Sequence, residues 1–312
     1  MSRMLHPDAQ PIIEAFLKNG GLSFEKMGEI PALRAGYEAN CVLAAMRDLD
    51  HIQTRDIEAE IAGEPVHLRL YDRELECSEA RPTVLFIHGG GWVIGNLNSH
   101  DSICRKIADS ADVRVIAVDY RLAPEHAFPV PYCDCDNALQ YIVANQEAWK
   151  VNVDRMVFCG DSAGANLAAY LGQNFYQKYQ IQLKAQVLLY PVIGFYPESA
   201  SYAAYNEGFP LVQSTMHWFF DQLTDSESAK AQVSLLDQPF DPANGEIYLL
   251  TLEHDPLRDE ALLYLQRAIQ SGISVEYHHL SGLMHGIFTL AGKLPVAEEY
   301  LGQIGKYIAN KI

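Results

Sequence analysis

Ser162 occupies a position in the sequence that suits a nucleophile. It lies in RMVFCGDSAGANLAAYLG, residues 155–172, where a short apolar run ends and a helical pattern of small residues begins. A sharp strand-to-helix turn crowds the backbone and favours glycine two positions either side of the serine, here Gly160 and Gly164. The amide of Ala163 opens the predicted helix and can donate to an oxyanion. Chance supplies such a motif in about one chain in ten, so its placement between a strand and a helix is the stronger argument.

Three consecutive glycines form a second unusual feature. Gly89, Gly90 and Gly91 directly follow a predicted buried strand, with His88 before them and Trp92 after them. Such a run costs conformational entropy on folding. It is therefore expected where the backbone has to pass very near another group. A flexible turn is the simpler alternative, and a phosphate loop is excluded because neither a following Lys-Ser/Thr pair nor GxGxxG spacing is present. The run therefore predicts backbone donors for an oxyanion.

A nucleophilic serine also needs a histidine base and a carboxylate that orients this base. Asp255 lies in LEHDPLRDE, 93 residues after Ser162, and His285 lies in SGLMHGIF, 30 residues after Asp255. Both follow predicted strands, and the chain order serine, acid, histidine is the one that accompanies a Gly-x-Ser-x-Gly strand-to-helix turn. The sequence therefore predicts that these three side chains form one hydrolytic site.

Four other histidines and one aspartate compete for the same roles. His278 and His279 lie inside a predicted strand, where we expect one to face the interior of the sheet and the other a helix. His254 is expected to point away from the acid, and His88 to make a structural hydrogen bond in the glycine turn. Asp259 falls in the following helix, where a charge near the helix N-terminus has a structural role.

The pattern of the chain supplies elements that can position these residues. After two amphipathic helices, 8–20 and 31–49, the alternating runs HIQTRDIEAEI and VHLRLYD, separated by AGEP, predict an antiparallel hairpin. Short β-rich runs follow at 83–87, 114–118, 156–159, 185–190, 247–252 and 274–280. Helical patterns separate most of them, at 100–110, 134–149, 163–179 and 257–271. The fold class is therefore α/β, with a mixed and mostly parallel sheet flanked by helices.

One long interval departs from this alternation. Between Val192 and Asn244 there is no strand pattern, but the stretch contains many aromatic residues. So many rings are too apolar for a solvated loop, and we expect them to pack above the edge of the sheet or on one another.

Composition and charge exclude several classes of function. The chain has 312 residues with a formal net charge of −17, which argues against nucleic acid and anionic membrane surfaces as partners and favours a neutral substrate. No apolar run is long enough for a membrane span, and the N-terminus lacks the layout of a signal peptide, so we expect a cytoplasmic protein. The six cysteines are expected to be reduced, and Cys133-x-Cys135 lacks the spacing of a zinc site.

From about residue 60 onward the sequence resembles the hormone-sensitive-lipase-like branch of the α/β-hydrolase fold, and in particular bacterial acetyl-esterase-like carboxylesterases. The motifs that carry this resemblance are HGGGW, DYRLAPEHAFP, GDSAGANLA, HDPLRDE and LMHGI. The resemblance implies a triad and an oxyanion hole at matching positions, namely Ser162, Asp255 and His285 with Gly89, Gly90, Gly91 and Ala163. It also implies a helical cap from residues 1–50 and 192–244 on a catalytic domain of residues 51–312, and supporting roles for Arg121 and Glu125.

The expected activity is hydrolysis of short-chain carboxylic esters through an acyl-enzyme intermediate, with no cofactor and no metal. The partner is then a small-molecule ester, and a homodimer is an open possibility. The same side chains could instead cleave an amide, as an amidase or arylformamidase does. A non-catalytic ligand receptor of this fold is disfavoured because His285 is retained. A protein that regulates another enzyme through its acidic surface is a further alternative.

Overall fold

A mixed eight-stranded sheet forms the centre of the computed structural model, which describes residues 4–61 and 63–312. The strands are β1 Gln53–Ile61, β2 Glu64–Asp72, β3 Arg81–Ile87, β4 Arg114–Val118, β5 Val151–Asp161, β6 Ala185–Leu189, β7 Glu246–His254 and β8 Val275–Met284. Their order in space is β1-β2-β4-β3-β5-β6-β7-β8. β2 pairs antiparallel with both β1 and β4, and the other neighbours are parallel. The α/β-hydrolase architecture predicted from the sequence is confirmed.

Ten α-helices accompany the sheet in the described part of the chain. They are α1 Gln10–Lys18, α2 Ile30–Leu43, α3 Asp101–Ala111, α4 Val130–Ala144, α5 Ala163–Tyr179, α6 Ala200–Ala204, α7 Gln213–Leu223, α8 Glu227–Val233, α9 Arg258–Gln270 and α10 Pro295–Lys311. Short 3-10 helices lie at Phe24–Lys26, Pro242–Asn244 and Ile287–Leu290. Within the described residues, no helix is both long enough and apolar enough to cross a bilayer.

Helices cover both faces of the sheet, which explains the unbroken apolar runs of the central strands. On β3, Leu85 and Ile87 pack into the core with α4, α5 and α9, while Val84 and Phe86 pack into the opposite core with α3 and α10. All four side chains are fully buried. A strand buried on both faces has no polar side, so its sequence does not alternate.

Some element boundaries differ from those that the sequence predicts. α2 ends at Leu43 rather than at residue 49, yet Ala44, Met46 and Leu49 are still buried, so the apolar pattern continues in a non-helical chain. α4 begins at Val130, because Pro131 fits the first turn of a helix, where its missing N–H is not needed. Residues 1–3 of the predicted cap segment 1–50 and Ala62 of the predicted hairpin turn lie outside the described residues.

Two segments pack together beside the carboxyl ends of the central strands. We call residues 4–50 the N-terminal segment and residues 192–244 the insertion. The insertion contains α6, α7 and α8 and, within the described chain, no strand, as its sequence predicts. Glu25 of the N-terminal segment accepts hydrogen bonds from the hydroxyls of Ser214 and Thr215 of the insertion, at 2.6 and 2.7 Å. The contact between the N-terminal segment and the insertion therefore includes hydrogen bonds between side chains.

Candidate active site

The turn between β5 and α5 holds Ser162 in a strained backbone conformation. Its φ and ψ are 55° and −122°, and its amide donates a 2.9 Å hydrogen bond to Leu189 O on the neighbouring strand. A Cβ on Gly160 would stand 2.4 Å from Gly164 O, and one on Gly164 would stand 2.1 Å from Ile87 O. Neither position therefore accommodates a side chain, which is the crowding that the motif predicts.

The structure brings Asp255 and His285 to this serine. His285 lies in the turn after β8, with Nε2 2.8 Å from Ser162 Oγ and Nδ1 2.7 Å from Asp255 Oδ2. Asp255 follows β7, is 1% exposed, and accepts the amide of Leu257 at 2.9 Å on its other oxygen. The carboxylate is thus fixed by a hydrogen bond on each oxygen, and the imidazole is fixed between acid and hydroxyl.

Ser162 is only 7% exposed in the folded chain. The carboxyl end of the sheet is covered by other parts of the chain. Phe219 of the insertion rests on Gly91, and Phe220 packs edge-on against Trp92 with ring centroids 5.4 Å apart. Aromatic side chains of the insertion therefore lie against the glycine loop.

The three glycines of the loop after β3 do not act alike. The amide of Gly89 donates a 2.9 Å hydrogen bond to Asp161 Oδ1, so this N–H is already used. Gly90 and Gly91 have φ of 117° and 58°, in the left-handed region that favours glycine. Among the described residues, the amides of Gly90, Gly91 and Ala163 donate to no protein group. These three N–H groups are free to bind an anion.

Comparison with known proteins identifies the family of this chain. Residues 84–289 match the model of a family described as having the alpha/beta hydrolase fold. The chain belongs to the α/β-hydrolase family. It is similar to an ethyl acetate hydrolase of Pseudomonas putida, with 31% identity over 89% of this chain and 85% of the relative. Esterase LipI of Mycobacterium tuberculosis is 32% identical over 85% of each chain. The crystal structure of an ester hydrolase from the metagenome of Lake Arreo has 29% identity and a TM-score of 0.88, over 98% of this chain and 99% of that one.

A buried polar cluster lies beneath the glycine loop of this hydrolase. His100 Nε2 lies 3.2 Å from Asp161 Oδ1, and the His88 ring stacks on Tyr120 at 4.3 Å between centroids. Burial, together with the charge of His100, lowers the pKa of His88 to about 3. Burial tends to raise the pKa of Asp161, but His100 and the Gly89 amide outweigh it, so the net shift is downward. The cluster thus contains an anionic Asp161, and His88 is neutral at neutral pH.

The competing residues lie away from the serine in the hydrolase. His254 is buried and stacks on Phe209, with ring centroids 5.3 Å apart. His278 stacks on Tyr248, and His279 is exposed at 2.9 Å from Thr251 Oγ1. The expectation that both face buried surroundings is therefore wrong for His279, because β8 is an edge strand.

Asp259, Arg121 and Glu125 have structural contacts. Asp259 accepts the amide of Ser201 at 2.8 Å, which anchors α6 to the start of α9. Arg121 pairs with Asp134 at 2.7 Å, and Glu125 pairs with Arg34 of α2 at 2.6 Å. None of these contacts involves Ser162. Within the described residues, no cluster of His, Cys, Asp and Glu has an arrangement that could hold a metal ion.

Three residues near the site escaped the sequence analysis. Tyr190 packs edge-on against the His285 ring at 4.8 Å between centroids. Asn166 on α5 and Glu260 on α9 are completely buried and hydrogen bonded to the chain that leaves β6. The sequence offers one signal for such residues, namely a polar side chain at an inward-facing position of a helix, as at Glu260 of α9. It does not reveal the hydrogen-bond partner, because Ile193 lies far from Glu260 along the chain.

Proposed function

We propose that this protein, a carboxylic ester hydrolase, cleaves short-chain esters with Ser162 as nucleophile, His285 as base and Asp255 as the orienting acid. The observation that carries the proposal is the continuous pair of contacts Ser162 Oγ–His285 Nε2 and His285 Nδ1–Asp255 Oδ2, at 2.8 and 2.7 Å. This is the geometry that proton transfer from a hydroxyl to an imidazole requires.

The reaction proceeds in two similar halves. Ser162 Oγ attacks the ester carbonyl while His285 Nε2 takes its proton, and the charge on the tetrahedral oxygen is bound by the amides of Gly90, Gly91 and Ala163. His285 then gives the proton to the leaving alcohol. A water molecule repeats the sequence on the acyl-enzyme, releasing the carboxylic acid and restoring Ser162. Asp255 keeps its negative charge throughout and stabilises the imidazolium.

The segments of the chain that lie over the site support a preference for short acyl groups. We infer that the N-terminal segment and the insertion together form a cap, since Phe219 lies against the glycine loop and Glu25 holds α7 in place. A closed pocket gains about 0.8 kcal/mol per methylene only while the chain fits, and overpacking then costs about 1–3 kcal/mol. We therefore expect acyl groups of two to six carbons to be preferred.

The decisive experiment measures kcat/KM for p-nitrophenyl esters from C2 to C12, together with a matched anilide, for the wild type and for Ser162→Ala. The proposal expects a maximum between C2 and C6, at least a thousandfold loss in Ser162→Ala, and an unchanged Tm. Faster turnover of the anilide than of the ester would instead favour the amidase alternative. A preference for C10 or longer, or an active Ser162→Ala, would contradict the proposal.

A further inference from the structure

The chain that leaves β6 is held on both sides as it enters the insertion. The amide of Val192 donates to Ser162 O at 3.2 Å, and Asn166 Nδ2 donates to Val192 O at 3.1 Å. Both partners belong to the turn and helix that carry the nucleophile. Val192 is therefore attached directly to the backbone of Ser162.

The same short stretch is also attached to the helix that follows the acid. Ile193 donates its amide to Glu260 Oε1 at 2.7 Å, and Ile193 O accepts the amide of Leu235 at 2.8 Å. Glu260 lies five residues after Asp255 on α9 and has no exposed surface. One carboxyl group thus connects the acid side of the site to the nucleophile side through two consecutive residues, Ile193 and Val192.

We propose that Glu260 is a positioning residue that fixes Ser162 relative to Asp255 and does so as an uncharged carboxylic acid. The inference rests on the proposed triad for its effect on catalysis. Glu260 makes no direct contact with Ser162, Asp255 or His285 in the hydrogen-bond pattern, and it acts through the backbone of Ile193 and Val192.

The surroundings of Glu260 oppose a negative charge. Complete burial raises the pKa of this carboxyl well above its ordinary value, and the Asp255 carboxylate raises it further. The amides of Ile193 and Gly194 and a hydrogen bond from the Tyr202 hydroxyl lower the pKa of Glu260 without reversing the shift. The phenol of Tyr196 also faces Glu260, and the pKa values of both phenols are raised, chiefly by burial.

A neutral acid and an amide have nearly the same shape, and each places one carbonyl acceptor beside a donor group, although the amide carries two N–H donors where the acid carries one O–H. The carbonyl oxygen of glutamine can accept from Ile193 as Glu260 does, and its amino group can replace the acidic hydroxyl. Alanine removes the acceptor and leaves buried N–H groups without a partner. Glu260→Gln and Glu260→Ala therefore separate the hydrogen bond from the ionisable proton.

The test compares both variants with the wild type and with Glu299→Gln, whose side chain is exposed on α10. We measure kcat and KM on p-nitrophenyl acetate at pH 7, and Tm from pH 5 to 9. Glu260→Gln should stay within about threefold of the wild-type kcat, and Glu260→Ala should lose about tenfold or more in kcat with little change in KM, as misplacement of a reacting group does.

The pH series identifies the protonation state. In the unfolded chain Glu260 ionises above about pH 5, whereas in the folded protein it stays protonated, so the wild type loses stability as the pH rises. The Tm of Glu260→Gln relative to the wild type should therefore climb from pH 5 to 9, while that of Glu299→Gln stays level.

Equal damage from both Glu260 variants, full activity in Glu260→Ala, or a level Tm difference for Glu260→Gln would each overturn the proposal. If Glu260→Ala does not fold, the kcat and the Tm series of Glu260→Gln still decide it. Failure of the triad itself has a separate signature, namely activity retained by Ser162→Ala.

Discussion

The ring of Phe219 rests so closely on Gly91 that a Cβ built on this glycine would stand 2.3 Å from it. Phe24 of the N-terminal segment packs against the same ring with centroids 6.1 Å apart, and Tyr37 of α2 packs edge-on against Phe24 at 6.0 Å. Three rings from two segments of the chain thus cover the loop that we propose binds the oxyanion. Of these three rings, Phe219 is the one in contact with Gly91.

The first prediction follows from this contact. Phe219→Ala should widen the space above Gly91 and raise the ratio of kcat/KM for the octanoate ester to that for the acetate by about tenfold, since each accommodated methylene contributes about 0.8 kcal/mol. Tyr176→Ala, which removes an exposed aromatic ring on α5, is the control and should leave the ratio within twofold. Equal ratios in the wild type and Phe219→Ala would show that another side chain limits the acyl group.

The convergence of Ser162, Asp255 and His285 is predictable because it depends only on topology. In a parallel sheet the strands all end at one edge, so residues just after β5, β7 and β8 must be neighbours whatever the details of packing. The glycines around Ser162 are equally predictable, since steric crowding at the turn is a local property.

Other features depend on contacts that the local sequence does not specify. The amide of Gly89 is used by Asp161 whereas those of Gly90 and Gly91 are not, and nothing in three identical residues distinguishes them. The end of α2 at Leu43 is likewise not marked in the sequence, because neither glycine nor proline follows it closely and buried apolar residues continue at Ala44, Met46 and Leu49. The low exposure of Ser162 depends on how the insertion folds back, which the sequence does not reveal.

The second prediction concerns the base and its acid. His285→Ala should lose about as much kcat as Ser162→Ala, because members of such a triad act as a unit. Asp255→Asn keeps the base but presents an N–H to His285 Nδ1, so we expect a smaller loss, between about 10²- and 10⁴-fold. His279→Ala, at an exposed position of β8, is the control and should keep wild-type activity. Inactive His279→Ala beside active His285→Ala would place the base elsewhere.

The third prediction concerns stability in acid. His88 is buried, and its pKa in the folded protein is lowered to about 3. An unfolded histidine binds a proton below about pH 6.5, so the wild type loses stability as the pH falls from there, until His88 also protonates in the folded state. Between pH 7 and 4.5 this single group costs about 2 kcal/mol.

His88→Gln removes the titrating group while keeping a side chain that can donate to Gly89 O, which lies 2.8 Å from His88 Nδ1. Urea denaturation at pH 7 and 4.5 should show a smaller loss of unfolding free energy in this variant than in the wild type. His100 and Asp161 are present in both proteins, so their contributions largely cancel in the comparison. An equal loss in both proteins would mean that His88 is protonated in the folded state.

The fourth prediction concerns Arg34, which ties the N-terminal segment to the backbone around the glycine loop. Its Nε donates to Val93 O at 2.7 Å and its Nη2 to Ala123 O at 2.8 Å, while both terminal nitrogens pair with Glu125. Val93 lies two residues after Gly91. Loss of the hydrogen bond from Arg34 to Val93 O therefore frees one end of the loop that carries Gly90 and Gly91.

We expect Arg34→Ala to lower kcat on p-nitrophenyl acetate by about three- to tenfold, through less exact placement of the oxyanion donors. Arg34→Lys should be nearly as impaired, because one ammonium group cannot reach two carbonyl oxygens and a carboxylate with the fixed fork of a guanidinium. Glu125→Gln should lose less than twofold, since this glutamate is about half exposed and an exposed ion pair contributes little. Arg47→Ala, at an exposed position beyond α2, controls for the lost charge. If Arg34→Lys matches the wild type, the positive charge and not the pair of carbonyl contacts is what the loop requires.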